Sequence, residues 1–416
     1  MEALTLDELT MAVKGDYTAI RRVTRLDALG EKVFPPTYEG GEYAEEQRQV
    51  RNEKGAVQTV ETVLLDSVQS QANRLELALL RAYRGGRLKM PMLVVDFATD
   101  GSDATLAEVG PITALEAPHR MCDAIFRDAT YRDAPYKDQP FRATGPGEKL
   151  NSAKATAATS VFELCPTALI FGFWDSAGPR GGLGAKVQRA LVSEIVGYQA
   201  SKDGKRPASR IDPLQIENNV EIYAKQGGGW TFDPTQARTD PAGQAVTLRP
   251  SEINHGNVTP SLRHEDKATK KSVLNHGGVT LAYAEQQTVL SLAALRRLRF
   301  PVNKATRVEI DLAARTVLAA LGLAAICFLD EDGYDLRSRC LLDGKPGVSQ
   351  FVGRGATRDF ELEADAAADL VAKAAAKAKG VGLPWPEEAL VLQPSPDLSH
   401  LVVESRRRSM AAAAGG

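Results

Sequence analysis

The 416-residue chain is poor in aromatic residues, which make up 6% of it, and it has only four cysteines. No two cysteines form a C-x-x-C pair, so the sequence predicts reduced thiols in a cytoplasmic protein. No basic segment followed by an apolar run stands at the start, so no secretory signal is expected. The longest apolar run, residues 316–329, is too short to span a bilayer.

Sequence signatures of catalysis and metal binding are also missing. The five histidines lack metal-ligand spacing, and neither H-E-x-x-H nor G-x-S-x-G occurs. Asp96, Asp100 and Asp103 follow a predicted strand, but carboxylates followed by Gly-Ser more often form a turn. The sequence therefore predicts a protein that is not an enzyme, with no metal and no cofactor.

Charge is segregated along the chain, although the net charge is only -2. Between Arg180 and Arg210 there are seven basic residues and two acidic ones. Further basic groups lie in residues 296–307 and 337–358. Each alone is usually a solvated face, but several of them in a mildly acidic chain indicate a track for a polyanion.

Hydrophobic periodicity favours an α+β core that carries irregular protrusions. The two longest irregular segments are residues 98–150 and 201–282. The predicted strands are residues 17–26, 92–97, 168–174 and 323–329. The predicted helices are residues 66–83 (capped by Asp66), 185–198, 285–298, 308–321 and 365–379.

Three local patterns are typical of contacts with nucleic acid. The first predicted helix has an uncharged polar stretch with one arginine at its end, Gln69 to Arg74, which suits sugar and phosphate contacts. The Gly-rich segment 178–186 precedes a predicted helix start, where backbone N–H groups can hold a phosphate, although a plain tight turn fits equally well. Trp230 and Phe232 follow three glycines and either stack on bases or anchor their own loop.

Seven segments, in this order along the chain, resemble one family of CRISPR-associated proteins. The family is the backbone subunit of type I-G (formerly I-U) Cascade, a RAMP-superfamily protein of the Cas-seven group. The segments are 32–38 (KVFPPTY), 64–76 (LLDSVQSQANRLE), 173–176 (FWDS), 181–189 (GGLGAKVQR), 193–197 (SEIVG), 290–301 (LSLAALRRLRFP) and 333–340 (GYDLRSRC).

The resemblance implies an RRM-like (ferredoxin-like) palm with fingers and thumb insertions. The implied boundaries are a palm of 15–30, 60–98, 160–200 and 283–345, fingers or web insertions of 31–59 and 99–159, a thumb-like insertion of 201–282, and a C-terminal extension of 346–416. Such subunits polymerise along the spacer of a CRISPR RNA and present it for pairing with target DNA, without cutting. The implied partners are CRISPR RNA, target DNA through the guide, other copies of the chain, the Cascade large subunit, a fused five-six-type RAMP subunit and a recruited helicase-nuclease, with no membrane.

A guide-coating protein must be blind to sequence, so contacts to the RNA backbone are expected. No RNP1 string is present, so base stacking on the sheet is not expected. The predicted RNA-binding residues are Lys32, Gln69, Asn73, Arg74, Arg142, Lys149, Arg180, Lys186, Arg189, Ser209, Arg210, Arg337 and Arg339. Trp230 or Phe232 is the expected wedge of the thumb.

Two other functions remain open at this stage. One is an RNA endonuclease, as in the related type III backbone subunits, where a loop aspartate helps to cut target RNA. Asp100, Asp103 and Asp133 are the candidates for that role. The other is an assembly protein with no RNA contact of its own.

Overall fold

The computed structural model describes residues 3–39, 42–51, 55–98, 103–176, 185–201, 212–217, 219–256, 263–265, 272–274, 277–303 and 307–414. The helices are α1 (Leu6–Met11), α2 (Val68–Arg84), α3 (Ala104–Val109), α4 (Ala124–Arg127), α5 (Gly145–Glu148), α6 (Thr159–Leu164), α7 (Thr167–Phe171), α8 (Leu292–Leu295), α9 (Val308–Asp332), α10 (Ala364–Gly380) and α11 (Pro396–Ala414). Shorter helical turns are Ala12–Asp16, Arg120–Cys122, Phe141–Ala143, Lys149–Ser152, Pro234–Gln236 and Pro250–Ile253.

The strands belong to several separate sheets. They are β1 (Ala19–Ala28), β2 (Glu45–Arg51), β3 (Val57–Asp66), β4 (Leu93–Asp96), β5 (Pro111–Thr113), β6 (Ala129–Tyr131), β7 (Phe173–Trp174), β8 (Lys186–Val187), β9 (Leu191–Tyr198), β10 (Ile222–Ala224), β11 (Trp230–Thr231), β12 (Thr247–Leu248), β13 (Arg263–Glu265), β14 (Ser272–Leu274), β15 (Tyr283–Ser291), β16 (Tyr334–Arg337), β17 (Cys340–Asp343), β18 (Ser349–Gly353), β19 (Ala356–Phe360) and β20 (Leu390–Pro394). The chain is therefore α+β, as the sequence predicts.

The chain packs as two units. The first comprises Met1–Tyr38, Tyr43–Ala200 and Thr280–Ser399, and the second comprises Glu39–Glu42, Ser201–Val279 and His400–Gly416. The first unit holds the largest sheet, in the order β16-β17-β1-β15-β9-β3-β2, with β18 also paired to β1 and β19 paired to β18. Every neighbouring pair in this sheet is antiparallel.

One face of this sheet is buried, because side chains alternate between the two faces along a strand. In β1 the residues Ile20, Arg22, Thr24 and Leu26 are buried, while their neighbours are exposed or half-buried. In β15 the buried set is Ala284, Gln286, Thr288 and Leu290. The inward face is therefore partly polar.

The inward polar residues hydrogen-bond to each other and to the helices. Gln71 of α2 is fully buried and donates to Asp66 Oδ2 over 2.6 Å. Its Oε1 accepts from Ser193 Oγ and from Gln286 Nε2, both at 2.9 Å. Because an unpaired buried polar group is costly, this network fixes how α2 sits on the sheet.

The N-cap of helix α2 is one residue later than the sequence predicts. Ser67 is the N-cap and accepts from the Ser70 backbone N–H, while Asp66 is the buried last residue of β3. Gln71, which the sequence places on an exposed polar face, is instead in the core. The helix packs inward through Ala72, Leu75 and Leu79, the three- and four-residue spacing of an amphipathic helix.

Helix α9 is a single 25-residue helix, so the predicted strand at 323–329 is wrong. Nearly all of the helix from Ile310 to Leu329 is buried, and it packs against α2 and α10. Its stretch 316–329 is almost wholly apolar, so no polar face marks that part of the sequence as helical. Gly322 allows a close approach to the sheet, since a Cβ there would lie 3.2 Å from Leu290 Cδ2. By length and composition α9 is suited to a membrane, but nearly all of it is buried within the protein.

Four other predicted elements also differ from the structure. Residues 168–174 form α7 and the short β7 rather than one strand. The predicted helices at 185–198 and 285–298 are mainly the strands β9 and β15, followed in the second case by the short α8. Strand β4, expected in the palm sheet, lies in a separate sheet of order β5-β4-β20-β6.

The second unit contains small sheets. Strands β11, β10 and β12 form a three-stranded antiparallel sheet, and β13 pairs with β14. Trp230 packs edge-on against Phe232 at a centroid distance of 5.4 Å, and Phe232 is 62% exposed. Asp212 is buried and accepts from the Gly256 backbone N–H over 2.6 Å, which ties two loops together.

Candidate nucleic-acid interface

A groove of about 500 Å³ opens on the first unit beside the start of α2. We call it the basic groove. The charged, polar and aromatic residues that line it include Gln69, His119, Arg120, Trp174, Lys186 and Arg189. Three sequence-predicted residues are thus brought together here: Gln69, and Lys186 and Arg189, which follow it by more than 100 positions.

Two short strands form one wall of the groove. Trp174 of β7 is directly opposite Lys186 of β8, and the Lys186 Nζ lies 5.9 Å from the centroid of the Trp174 ring. Gly172 precedes β7 with a φ of 82° and lies against Arg189, since a Cβ at Gly172 would lie 3.0 Å from Arg189 Cγ. A larger residue than glycine would therefore displace Arg189.

A buried ion pair lies beneath the groove. Arg120 Nε and Nη2 donate to the two carboxylate oxygens of Glu76 over 2.6 and 2.7 Å. Arg120 Nη1 donates to the Gly172 carbonyl over 3.2 Å. Burial raises the pKa of Glu76 to about 7, and the opposing charge of Arg120 does not offset that effect. The pair therefore supplies little negative charge to the groove.

Arg189 is half-buried and forms no ion pair within 4 Å in the described part of the chain. Burial lowers its pKa from the usual value, the charge of Arg120 lowers it further, and only Glu76 acts in the other direction. None of the described residues lining the groove is an Asp or a Glu. An anionic oxygen bound here would offset the cost of desolvating Arg189.

Neighbouring residues of α2 have different surroundings. Asn73 is exposed and lies one turn beyond Gln69 on the same face. Arg74 donates instead within the protein, through Nε to Asp66 Oδ2 over 2.9 Å and through Nη1 and Nη2 to the carbonyls of Asp335 and Leu336 over 3.2 and 2.5 Å. Most of its hydrogen-bonding capacity is therefore used in holding α2 against β16.

Several other predicted RNA contacts are not among the residues that line the groove. Arg337 Nη2 is 3.5 Å from Asp66 Oδ1, and Arg339 lies over the Phe34 ring at 4.1 Å. Arg142 donates to Asp175 Oδ2 and to Asn151 Oδ1, both over 2.7 Å. Lys149 is exposed, and Lys32 is half-buried beside the core residue Val33.

Some predicted residues cannot be placed with the groove. Arg180, Ser209 and Arg210 lie outside the described residues, as does Asp100. Trp230 and Phe232 belong to the second unit.

The other nuclease candidates have structural partners. Asp103 caps α3 by accepting from the Thr105 backbone N–H, and Asp133 pairs with Arg132 over 3.1 Å. Across the described residues, no three His, Cys, Asp or Glu side chains form a group that could hold a metal ion.

Sequence reasoning missed three residues of the groove, namely His119, Arg120 and Trp174. For Trp174 the sequence offers a signal. This tryptophan directly follows the apolar run 168–173 and precedes Asp-Ser, where the chain emerges from the core. His119 and Arg120 carried none, since only the tertiary fold brings that loop beside β7.

A protein-family model matches part of the chain. Residues 23–202 match the family model described as CRISPR-associated protein GSU0053. The matched stretch is less than half of the chain, and it contains every residue that defines the basic groove. No curated protein matches the chain. This match supports a role in CRISPR defence for the chain.

Proposed function

We propose that this chain is the CRISPR RNA-binding backbone subunit of a type I Cascade, of the type I-G kind that its sequence resembles. In this proposal copies of the chain polymerise along the guide spacer and present it for pairing with target DNA. The chain itself is not an enzyme, works in the cytoplasm and leaves cleavage to a recruited helicase-nuclease. The large subunit and the fused five-six-type subunit complete the complex.

The order of strands supports an RRM-like palm. Strands β1, β9, β15 and β18 stand in the spatial order β18-β1-β15-β9, with α2 between β1 and β9 and α9 between β15 and β18. This is the β-α-β-β-α-β order of ferredoxin-like folds. The hairpin of β2 and β3 extends the sheet beyond β9.

The basic groove is the observation that carries the RNA-binding part of the proposal. Of its cations, Lys186 and Arg189 form no ion pair among the described residues, and no Asp or Glu lines the groove there, so these two suit the phosphates of a nucleic acid. Phosphate contacts carry no sequence information. A guide-coating subunit needs such contacts because it must bind guides of any sequence. In the second unit, the exposed Phe232 is the better placed of the two candidate wedge residues.

Co-purification with RNA tests the proposal. The chain is expressed with a CRISPR array, and the 260/280 nm absorbance ratio and the extracted RNA are measured after purification at low salt. We expect guide-length RNA to co-purify, and its retention should fall steeply as salt is raised. Binding of the protein releases counterions from the phosphates, and this release contributes less free energy at higher salt. The double variant Lys186→Ala, Arg189→Ala should lose most of that RNA.

A matched control removes two exposed cations elsewhere in the first unit, Lys137→Ala and Lys373→Ala. It loses the same charge and should retain RNA as the wild type does. A protein-like absorbance ratio for the wild type would contradict the proposal and favour an assembly protein. Metal-dependent, periodic cuts in a target RNA paired to the guide, abolished by one Asp→Ala change, would instead favour an endonuclease.

A further inference from the structure

Trp174 is an exposed tryptophan in a protein that has three. It is 54% exposed, whereas Trp385 is buried and packs against Phe162. Trp230 is half-buried and packs against Phe232 and His255. A large aromatic surface left in water is unfavourable unless something covers it, and tryptophan is the residue that stacks most extensively on flat ligands.

The surroundings of Trp174 are those of a nucleotide site rather than of an apolar docking surface. Lys186 stands directly opposite on the paired strand, and Arg189 lies farther along the same groove. His119 and Gln69 also line the groove and add hydrogen-bonding groups. A flat ring beside cations offers a stacking partner for a base and counter-charges for its phosphate.

We propose that Trp174 is a stacking platform for one nucleobase of the bound RNA, while Lys186 and Arg189 hold the phosphate next to it. The inference rests on the proposed function and goes further, because coating a guide requires contacts to the backbone alone. Stacking accepts any base, since every base has a flat face, so the contact preserves blindness to sequence.

Two 12-nucleotide probes separate base stacking from phosphate binding: oligouridylate and an abasic ribose-phosphate of equal length. We expect the purified full chain, freed of RNA at high salt, to bind oligouridylate roughly 5 to 150 times more tightly than the abasic probe, the range for one stacked base. Trp174→Ala should bind both probes with the affinity of the abasic one. Trp174→Phe should keep most of the difference in affinity between the two probes. Lys186→Ala should weaken the binding of both probes by the same factor.

A spectroscopic measurement separates stacking from a structural role of Trp174. In a Trp230→Phe background, where Trp385 is buried, oligouridylate should quench the tryptophan fluorescence and the abasic probe should not. Equal affinity of the wild type for the two probes, or an equal loss for both in Trp174→Ala, overturns the stacking inference while leaving RNA binding intact. Failure of the wild type to bind either probe at low salt overturns the proposed function as well.

Discussion

Replacement of Arg74 by alanine tests whether this residue holds the fold together rather than binding RNA. Asp66, its carboxylate partner, is 0% exposed, and Arg74 itself is 27% exposed. The substitution removes one charged hydrogen bond and two bonds to backbone carbonyls. It leaves Asp66 with Gln71 and a long contact to Arg337.

Removal of one partner of a buried ion pair typically costs about 3 to 5 kcal/mol. Because Arg74 is partly solvated and Arg337 remains near Asp66, we expect Arg74→Ala to lower the free energy of unfolding by about 3 kcal/mol, the low end of that range. The free energy of unfolding is measured by urea titration followed by circular dichroism at pH 7.5. Arg74→Lys should restore little of the loss, since a single ammonium cannot reach all three acceptors.

Asn73→Ala is the matched control on the adjacent, exposed position, and it should change stability by less than about 0.5 kcal/mol. At a temperature where Arg74→Ala is fully folded, its RNA retention should equal that of the wild type. A loss of stability below about 1 kcal/mol, combined with a loss of RNA from the folded variant, would refute this reasoning and restore Arg74 as a direct RNA contact.

Two further predictions concern the same helix. Leu75→Ala should lower the free energy of unfolding by about 2 to 5 kcal/mol in a urea titration, since Leu75 is 1% exposed. The control Leu77→Ala, at an exposed position, should lower it far less. Equal losses in the two variants would place Leu75 outside the core. The pKa of Glu76 is raised to about 7, so its contribution to stability is fully present below about pH 4.5 and is lost as the pH rises through 7. Urea midpoints at pH 5, 6 and 7.5 should therefore fall with pH more steeply for the wild type than for Glu76→Gln, and parallel curves would contradict the raised pKa.

The elements that the sequence identifies well are those in which one face is clearly apolar. Helix α2 and helix α10 have that pattern, and both lie close to where it predicts them. Strand β15 is different, because two of its inward residues, Gln286 and Thr288, are polar. The alternation of hydrophobicity that marks a strand is therefore hidden, and the spacing resembles that of a helix.

The basic groove could be predicted only in part, for a related reason. Lys186 and Arg189 are visible in the sequence as cations at and just after the end of the Gly-rich segment 178–186, and Gln69 as part of a polar stretch. Which cations are paired internally depends on partners distant in sequence, as Arg74 with Leu336 and Arg120 with Glu76 show. Charge in the sequence therefore marks candidates, and only the fold separates free cations from paired ones.

The pairing of β1 has a consequence for how the protein is made. Its three partners, β15, β17 and β18, all follow it by more than 250 residues, so β1 emerges from the ribosome long before any of them exists. At about 5 to 20 residues per second, the delay is on the order of tens of seconds. During that time Ile20 and Leu26 have no sheet to cover them, while the β2-β3 hairpin and α2 have local partners. The nascent chain thus carries an unpaired central strand for most of its synthesis, and its yield in cells should depend on chaperones that shield that strand.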